Sequence, residues 1–423
     1  MRHNKNQRMP YKEQVKNRLK KTSEYFKTDI IYTLKGGSFL SLGNFFGIMA
    51  NFALAFFFAR LLPKEIYGTY SYIIAWISVL GVFALTGMDT AVIQSVSRGF
   101  DNSLIIGLKK KIKYGFLGTL AALIISAYYF YSDNQTLSLT FFIGAVFIPF
   151  LNSFQIYNAY LVGKKEFKTS AYYAIISQIF IASVLITTIF LTKNIIYIVA
   201  AYVLANLLPN LFFFIRTKVK VKPQFGENDK EISAYGKHLS LINIFSTIAS
   251  YIDQFLAFHF LGPANLATYA FAIAPPEQVK GFFKGLSDLI LPKFSKRSED
   301  ELKKTMTHKI IILTAFTALV VGTYILLAPL FYKIFFPRYL DAVFLSQIFA
   351  ISMLNTPPAL IIGALTAHKK IKKLYWFNAI SPIFQIVILI VLTPLYGLMG
   401  LVLARVIART FTSAISLIIY YRK

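Results

Sequence analysis

Cysteine is absent from this 423-residue chain. That absence excludes disulfides, thiolate nucleophiles and cysteine-bound metals. Histidine occurs five times, scattered, without the spacing of a metal site. Acidic side chains are scarce, 18 against 45 Lys and Arg. What is abundant is apolar. Hydrophobic residues make up 56% of the sequence and the mean hydropathy is +0.57. Apolar runs of ~20 residues recur along the chain, the length that crosses ~30 Å of hydrocarbon. Their backbone groups must pair internally in lipid, so the runs are expected to be helices.

Twelve such spans are expected, over 37–60, 69–94, 114–131, 139–162, 171–191, 195–215, 238–261, 266–291, 310–335, 341–366, 374–394 and 397–420. A net charge of +27 would by itself suit a nucleic-acid binder. The placement of the charge argues otherwise. Of the 45 basic residues, 36 fall in segments on one side of the alternating spans, 5 on the other (Arg60, Lys64, Lys193, Lys333 and Arg338) and 4 inside them. By the positive-inside rule both termini are cytoplasmic and the number of spans is even. The loops on the basic-poor side are each about ten residues or fewer, the length of simple connections, which leaves no room there for a catalytic domain.

Four regions are expected: a basic cytoplasmic segment 1–36, a six-helix bundle 37–216, a cytoplasmic linker 217–237 containing Pro223 and Gly226, and a second six-helix bundle 238–423. The first segment does not read as a cleavable signal. Its Val15, Leu19, Phe26 and Ile30 have roughly helical spacing, which suits either a surface helix on anionic lipid or an orientation tail without structure. The two bundles look like repeats. SLGNFFGIMANF from Ser41 and SLINIFSTIASY from Ser240 align without a gap, and the same offset pairs Leu62 with Leu261, Thr69 with Thr268 and Tyr70 with Tyr269. Six spans per repeat return the second half to the orientation of the first. The fold class expected is therefore all-α, two parallel six-helix bundles around a central cavity, an arrangement that suits alternating access.

Several stretches resemble bacterial oligosaccharide flippases, the Wzx-type branch of the MATE-like exporter superfamily. They are ARLLPKEIYGTYSYIIA (Ala59 to Ala75), GMDTAVIQSVSR (Gly87 to Arg98), YIDQFLAFHFLGPANLATYAFA (Tyr251 to Ala272), LILPKFSK (Leu289 to Lys296) and TPLYGLMGLVLARVIART (Thr393 to Thr410). Where the family commonly has Asp-Arg, this chain has Asp253-Gln254, so no role carries over to that second position. The resemblance implies a transporter, not an enzyme, in the bacterial inner membrane. It implies a substrate of oligosaccharide on undecaprenyl pyrophosphate, moved between leaflets for O-antigen, capsule or exopolysaccharide synthesis. Ion coupling to H+ or Na+ comes with it. No metal or organic cofactor is expected. The expected partners are membrane lipid and polysaccharide-assembly proteins, with the protein a monomer and no nucleic acid bound.

Charge at mid-bilayer costs ~3 kcal/mol on insertion scales, so intramembrane ions mark function or internal pairing. Four cations qualify: Lys280, Lys284, Arg405 and Arg409. Glu277, Lys280, Lys284 and Asp288 share a face of the eighth span, just after Pro275-Pro276, which is expected to kink or loosen it. Arg405 and Arg409 share a face of the twelfth. Two arrangements satisfy these charges. In one, the four cations line a wet cleft and hold a pyrophosphate, Arg as a bidentate donor and Lys as a point charge. In the other, Glu277–Lys280 and Lys284–Asp288 are internal pairs. Glu277, then Asp253, are the candidates for ion coupling. Asp89 and Arg98 suit a gate or cap, and Arg60 suits a gate or a snorkelling position. Asn44 and Asn51, seven apart, either face the cleft or join helices. Three rivals remain: a MATE-type drug or cation exporter, which would favour acids in the cleft; a membrane glycan polymerase, ligase or acyltransferase; and a structural membrane protein, which would leave the intramembrane cations without a purpose.

Overall fold

A computed structural model describes residues 30–220, 229, 231–294, 299–367 and 371–421; side chains are described from Gly43 onward, with those of 281–304 and several between 359 and 375 outside the description. The described residues form helices and no strand. In chain order these are α1 (Ile30–Leu61), α2 (Lys64–Leu80), α3 (Met88–Ser97), α4 (Ser103–Tyr131), α5 (Gln135–Leu151), α6 (Ile156–Gly163) and α7 (Phe167–Leu191). Then follow α8 (Ile195–Lys220), α9 (Ile232–Leu256), α10 (Pro263–Phe294), α11 (Glu299–Phe335), α12 (Ala342–Ile351), α13 (Ala359–Ala367) and α14 (Ile371–Tyr421).

Ten helical stretches among the described residues are long and apolar enough to cross a membrane. One of them, within α14, holds two crossings, because Gly397 leaves helical geometry at φ 56° and ψ −134°. Glycine takes that conformation without a Cβ clash. α10, 32 residues long, supplies a further crossing and differs in carrying five charged residues along its length. The twelve expected crossings are thereby accounted for, and the chain is a polytopic membrane protein.

Boundaries shift in informative ways. The third crossing starts at Ser103 rather than 114, which moves Lys109, Lys110, Lys111 and Lys113 from a loop onto the first turns of α4. α8 reaches Lys220 and α9 begins at Ile232, so helix enters both ends of the 217–237 segment. Residues 221–228 and 230, like most of segment 1–36 with its Val15, Leu19 and Phe26, lie outside the described residues.

Three crossings are broken rather than continuous. The second stops at Leu80, turns through Gly81–Ala84, passes Leu85 at φ 52° and resumes as α3. The fourth breaks between Leu151 and Ile156, and the tenth between Ile351 and Ala359. Such backbone is tolerated at membrane depth only where protein covers it and its polar groups find partners. The Gly87 amide finds Ser240 Oγ at 3.0 Å, and a Cβ on Gly81 would meet the Asn152 side chain at 2.5 Å, so the second and fourth breaks pack together. The breaks at Asn152 and Ser352 are 200 residues apart, one residue from the offset between Ser41 and Ser240, so the repeat extends to irregular backbone. α10, by contrast, stays helical straight through Pro275-Pro276.

The halves meet unevenly. The largest buried core includes Phe58, Tyr70 and Tyr72 of the first half together with Tyr269, Phe271 and Tyr339 of the second. It lies toward the basic-poor end. At the basic-rich end there are two further cores, one around Val92, Tyr160 and Phe213 that also takes in Ile232 of α9, and one around Met306, Ile361 and Tyr420 within the second half. Without a hydrophobic force between helices in lipid, close packing and polar contacts of this kind hold the halves together.

Candidate functional site

The intramembrane ions of the second half gather where α9, α10 and the last crossing meet. At 1.5 Å per residue, Glu277 lies ~21 Å along α10 from its start, and Arg405 ~12 Å beyond the kink at Gly397. Both depths are inside the hydrocarbon. Glu277 Oε1 accepts from Arg409 Nη2 and lies 3.9 Å from Arg405 Nη2, while its Oε2 is 3.7 Å from Lys280 Nζ. Arg405 Nε is 3.4 Å from Asp253 Oδ2, which also accepts from Tyr269 Oη at 2.5 Å. Asp253 Oδ1 takes the Gln254 amide at 2.9 Å. Arg409 also donates to Ser352 Oγ at 2.7 Å and lies over the Phe349 ring at 4.6 Å. Ser352 belongs to the broken tenth crossing, and its neighbour Asn355 donates to Thr410 Oγ1 at 3.0 Å. The break therefore turns polar groups of one crossing toward the arginine helix.

Three cations thus meet two carboxylates, leaving one positive charge in excess. The cluster is graded in exposure: the Asp253 side chain is 1% exposed, Arg405 14%, Glu277 31% and Lys280 37%. Arg405 Nε is buried and, though within ion-pair range of Asp253, makes no hydrogen bond among the described residues. The structure brings Lys280, Arg405, Arg409, Glu277 and Asp253 into one cluster. Internal pairing and an accessible positive face therefore coexist. The Lys284 and Asp288 side chains lie outside the described residues.

The other sequence candidates fall elsewhere. Asp89 pairs with Lys111 of α4 at 2.7 Å, with the lysine side chain 1% exposed. Arg98 pairs with Asp229, just before α9, at 2.5 Å, so Asp89 and Arg98 serve separate contacts. Arg60 reaches across the halves to the Ile334 carbonyl at 2.7 Å. Asn44 and Asn51 are exposed side chains on α1. Asn51 lines a cavity of about 660 Å³ between α1, α10 and α11. Its walls are apolar, including Phe52, Phe271, Val320 and Phe331, and among the described residues Lys280, Arg405 and Arg409 do not line it. Gln278, next to Glu277, does.

Sequence reasoning missed a second constellation, at the basic-poor end. Lys64 of α2 donates to Asp341 at 2.6 Å and to Thr268 Oγ1 at 3.4 Å; Thr268 donates to the same carboxylate at 3.1 Å. Arg338 reaches the Leu62 carbonyl at 3.3 Å. A Cβ on Gly68 would fall 1.8 Å from the Pro263 carbonyl oxygen, so the two backbones touch here. With Arg60, these contacts seal this end between the halves. A signal was present in the matched Thr-Tyr pair. In the second copy Thr268 holds Asp341 and Tyr269 holds Asp253. In the first copy, Thr69 bonds only its own helix, to the Glu65 carbonyl, and Tyr70 packs on Phe58.

Comparison with known proteins agrees with this architecture. The profile of the family described as "Polysaccharide biosynthesis protein" matches residues 57–344. A Shigella flexneri protein provisionally named an O-antigen transporter is 23% identical over 367 residues, covering 81% of this chain and 82% of its own. Among solved structures, the lipid II flippase MurJ in an inward closed conformation superposes with a TM-score of 0.66 at 16% identity, over 89% of this chain and 86% of that one. A MOP superfamily transporter from Pyrococcus furiosus, described for a binding pocket of reverse polarity, gives 0.62 at 16% identity, over 92% and 94%. With the fold of MOP superfamily transporters and a profile match over more than half its length, the chain belongs to the polysaccharide biosynthesis protein family.

Proposed function

We propose that the protein is a flippase that moves an oligosaccharide linked to undecaprenyl pyrophosphate from the inner to the outer leaflet of the bacterial cytoplasmic membrane by alternating access. The observation that carries this reading is the ion cluster at mid-depth, positive by one charge and most exposed at Lys280. A diphosphate is the complement of such a site: it can take the exposed lysine and compete with Glu277 for Arg409. The family match and the name of the Shigella flexneri relative support the substrate class. The apolar cavity between α1, α10 and α11 suits the prenyl chain, one helix face away from the cluster. By the positive-inside rule the basic-rich end is cytoplasmic, so the end sealed by Lys64–Asp341 and Arg60 is the outer one. Glu277 and Asp253 are the proposed ion-coupling carboxylates: release of either arginine frees a carboxylate for H+ or Na+.

The deciding experiment uses the purified protein in liposomes containing a defined undecaprenyl-pyrophosphate oligosaccharide, with the outer-leaflet product read by an impermeant lectin. Translocation is expected, and it is expected to be lost when Lys280, Arg405 and Arg409 are all changed to Gln in protein that still inserts. Full transport by that triple variant, or uptake of a cationic dye in place of the glycolipid, overturns the assignment.

A further inference from the structure

The first half carries a feature that transport through the centre does not use. On its outer surface α7 and α8 form an apolar groove of about 350 Å³. Tyr172, Ile176 and Phe180 form one wall, and Leu208 and Phe212 the other. The floor is the stacked pair Tyr173 and Phe213, with ring centroids 4.0 Å apart. Arg216 closes the groove at the basic-rich end, its guanidinium 6.0 Å from the Tyr173 ring. From Arg216 to Leu208 is ~12 Å along α8 at the helical rise, close to half of a ~30 Å hydrocarbon layer. The groove therefore spans about one leaflet's depth of acyl chain, starting at the headgroup level.

Beyond Tyr173, which lines both, the groove continues into a polar hollow of about 330 Å³. The hollow is lined by Asp101, Lys164, Glu166, Thr169 and Lys220, among others. Lys164 Nζ and Asp101 Oδ1 form an ion pair at 2.5 Å. Counted across groove and hollow together, Arg216 and Lys220 then stand against the one remaining carboxylate, Glu166, one positive charge in excess. The hollow also presents hydroxyl and carboxylate acceptors, from Thr169 and Glu166.

We propose that this groove and hollow form a binding site for an anionic glycerophospholipid of the basic-rich leaflet, phosphatidylglycerol in particular. One acyl chain lies against Ile176 and Phe212. The phosphate meets Arg216 and Lys220, and the glycerol hydroxyls donate to Glu166 and Thr169. Charge complementarity selects this lipid: a single negative charge balances the excess, whereas a zwitterion leaves it standing. The site is remote from the ion cluster of the second half, so its occupancy is independent of what the transporter carries.

Native mass spectrometry of the purified full-length protein, with phosphatidylglycerol, phosphatidylethanolamine and phosphatidylcholine of identical chains added, tests the site. Phosphatidylglycerol is expected to stay bound under activation that strips the other two. Arg216→Gln with Lys220→Gln is expected to lower its retention at least about tenfold, as loss of two cations at a headgroup predicts. Lys109→Gln with Lys113→Gln, on α4 outside the groove, is expected to leave retention unchanged. Ile176→Trp, which fills the groove, is expected to release the lipid while sparing the headgroup cations, and it decides the matter if the cation double variant does not fold. Equal retention of all three lipids, retention of phosphatidylethanolamine at the level of phosphatidylglycerol, or equal losses in the two double variants overturns the proposal.

Discussion

Two arginines one turn apart have different tasks. Arg405 faces Asp253, whose side chain is almost wholly buried and also held by Tyr269. Removing one partner of a buried pair leaves the other charge uncompensated, at a cost of about 3–5 kcal/mol. Arg405→Gln is therefore expected to lower the melting temperature in detergent sharply. Adding Asp253→Asn should restore most of the loss, since an amide still accepts from the Tyr269 hydroxyl. A single variant as stable as the parent would show that the pair carries no structural burden. Lys280 is the opposite case. Its side chain is 37% exposed and its pairing distance is 3.7 Å, so its loss should cost ~1 kcal/mol or less in stability. Yet Lys280→Gln removes the excess charge and leaves two cations on two carboxylates. We expect at least a tenfold fall in the initial rate of glycolipid translocation with the melting temperature nearly unchanged. An unaltered rate would detach Lys280 from the headgroup. Charge inside apolar spans made these residues visible in the sequence. Their pairing was not, because Asp253 and Arg405 are 152 positions apart and only the tertiary packing of α9 on α14 brings them together.

At the scale of elements, the second crossing is the strut between the halves. α2 lies against α10, and α3 against α9. Two of its three glycines mark the closest approaches to the second half: Gly68 at the Pro263 carbonyl and Gly87 at Leu239 and Ser240. A methyl group at Gly68 cannot be accommodated by rotating a side chain, because the obstructing atom is backbone. Gly68→Ala is expected to push the basic-poor ends apart and favour the opened state. Because the chain has no cysteine, a single reporter thiol can be placed at will. Ala267 is fully buried beside this contact. An Ala267→Cys thiol should react slowly with an impermeant maleimide in the parent and several-fold faster with Gly68→Ala present; equal rates would mean that the contact does not govern closure. Helix existence was legible from apolar length, and the even span count from charge placement. The breaks in the second, fourth and tenth crossings were not. Proline and glycine occur in those spans, but the Pro275-Pro276 pair, a stronger signal by sequence, sits in unbroken helix. Whether a span breaks depends on whether neighbours supply partners for the freed groups, as Ser240 Oγ does for the Gly87 amide, and that is a property of packing.

For the molecule as a whole, the repeat explains both the architecture and its asymmetry. Two copies give two bundles of like orientation, and an offset within one residue of the same value relates the breaks of the fourth and tenth crossings. Ionic chemistry at mid-depth, however, is concentrated in the second copy, where Tyr269 serves Asp253; its counterpart Tyr70 lies among Phe58, Tyr67 and Tyr202. In the proposed cycle the first copy is the wall against which the ion-bearing half moves. Such movement requires the sealed end to part, and among the described residues Lys64 is the first half's side chain in the Asp341–Thr268 contact. Joining the halves there should stop the cycle without touching the ion cluster. With Lys64→Cys and Asp341→Cys in this cysteine-free background, a short cleavable bis-maleimide is expected to arrest translocation, and cleavage of the linker to restore it. Either single thiol, modified alone, should reduce the rate much less than the cross-link does. Translocation that continues at the parental rate with the cross-link complete would mean that the sealed end never opens, and a rocking of the two halves would have to be abandoned as the mechanism.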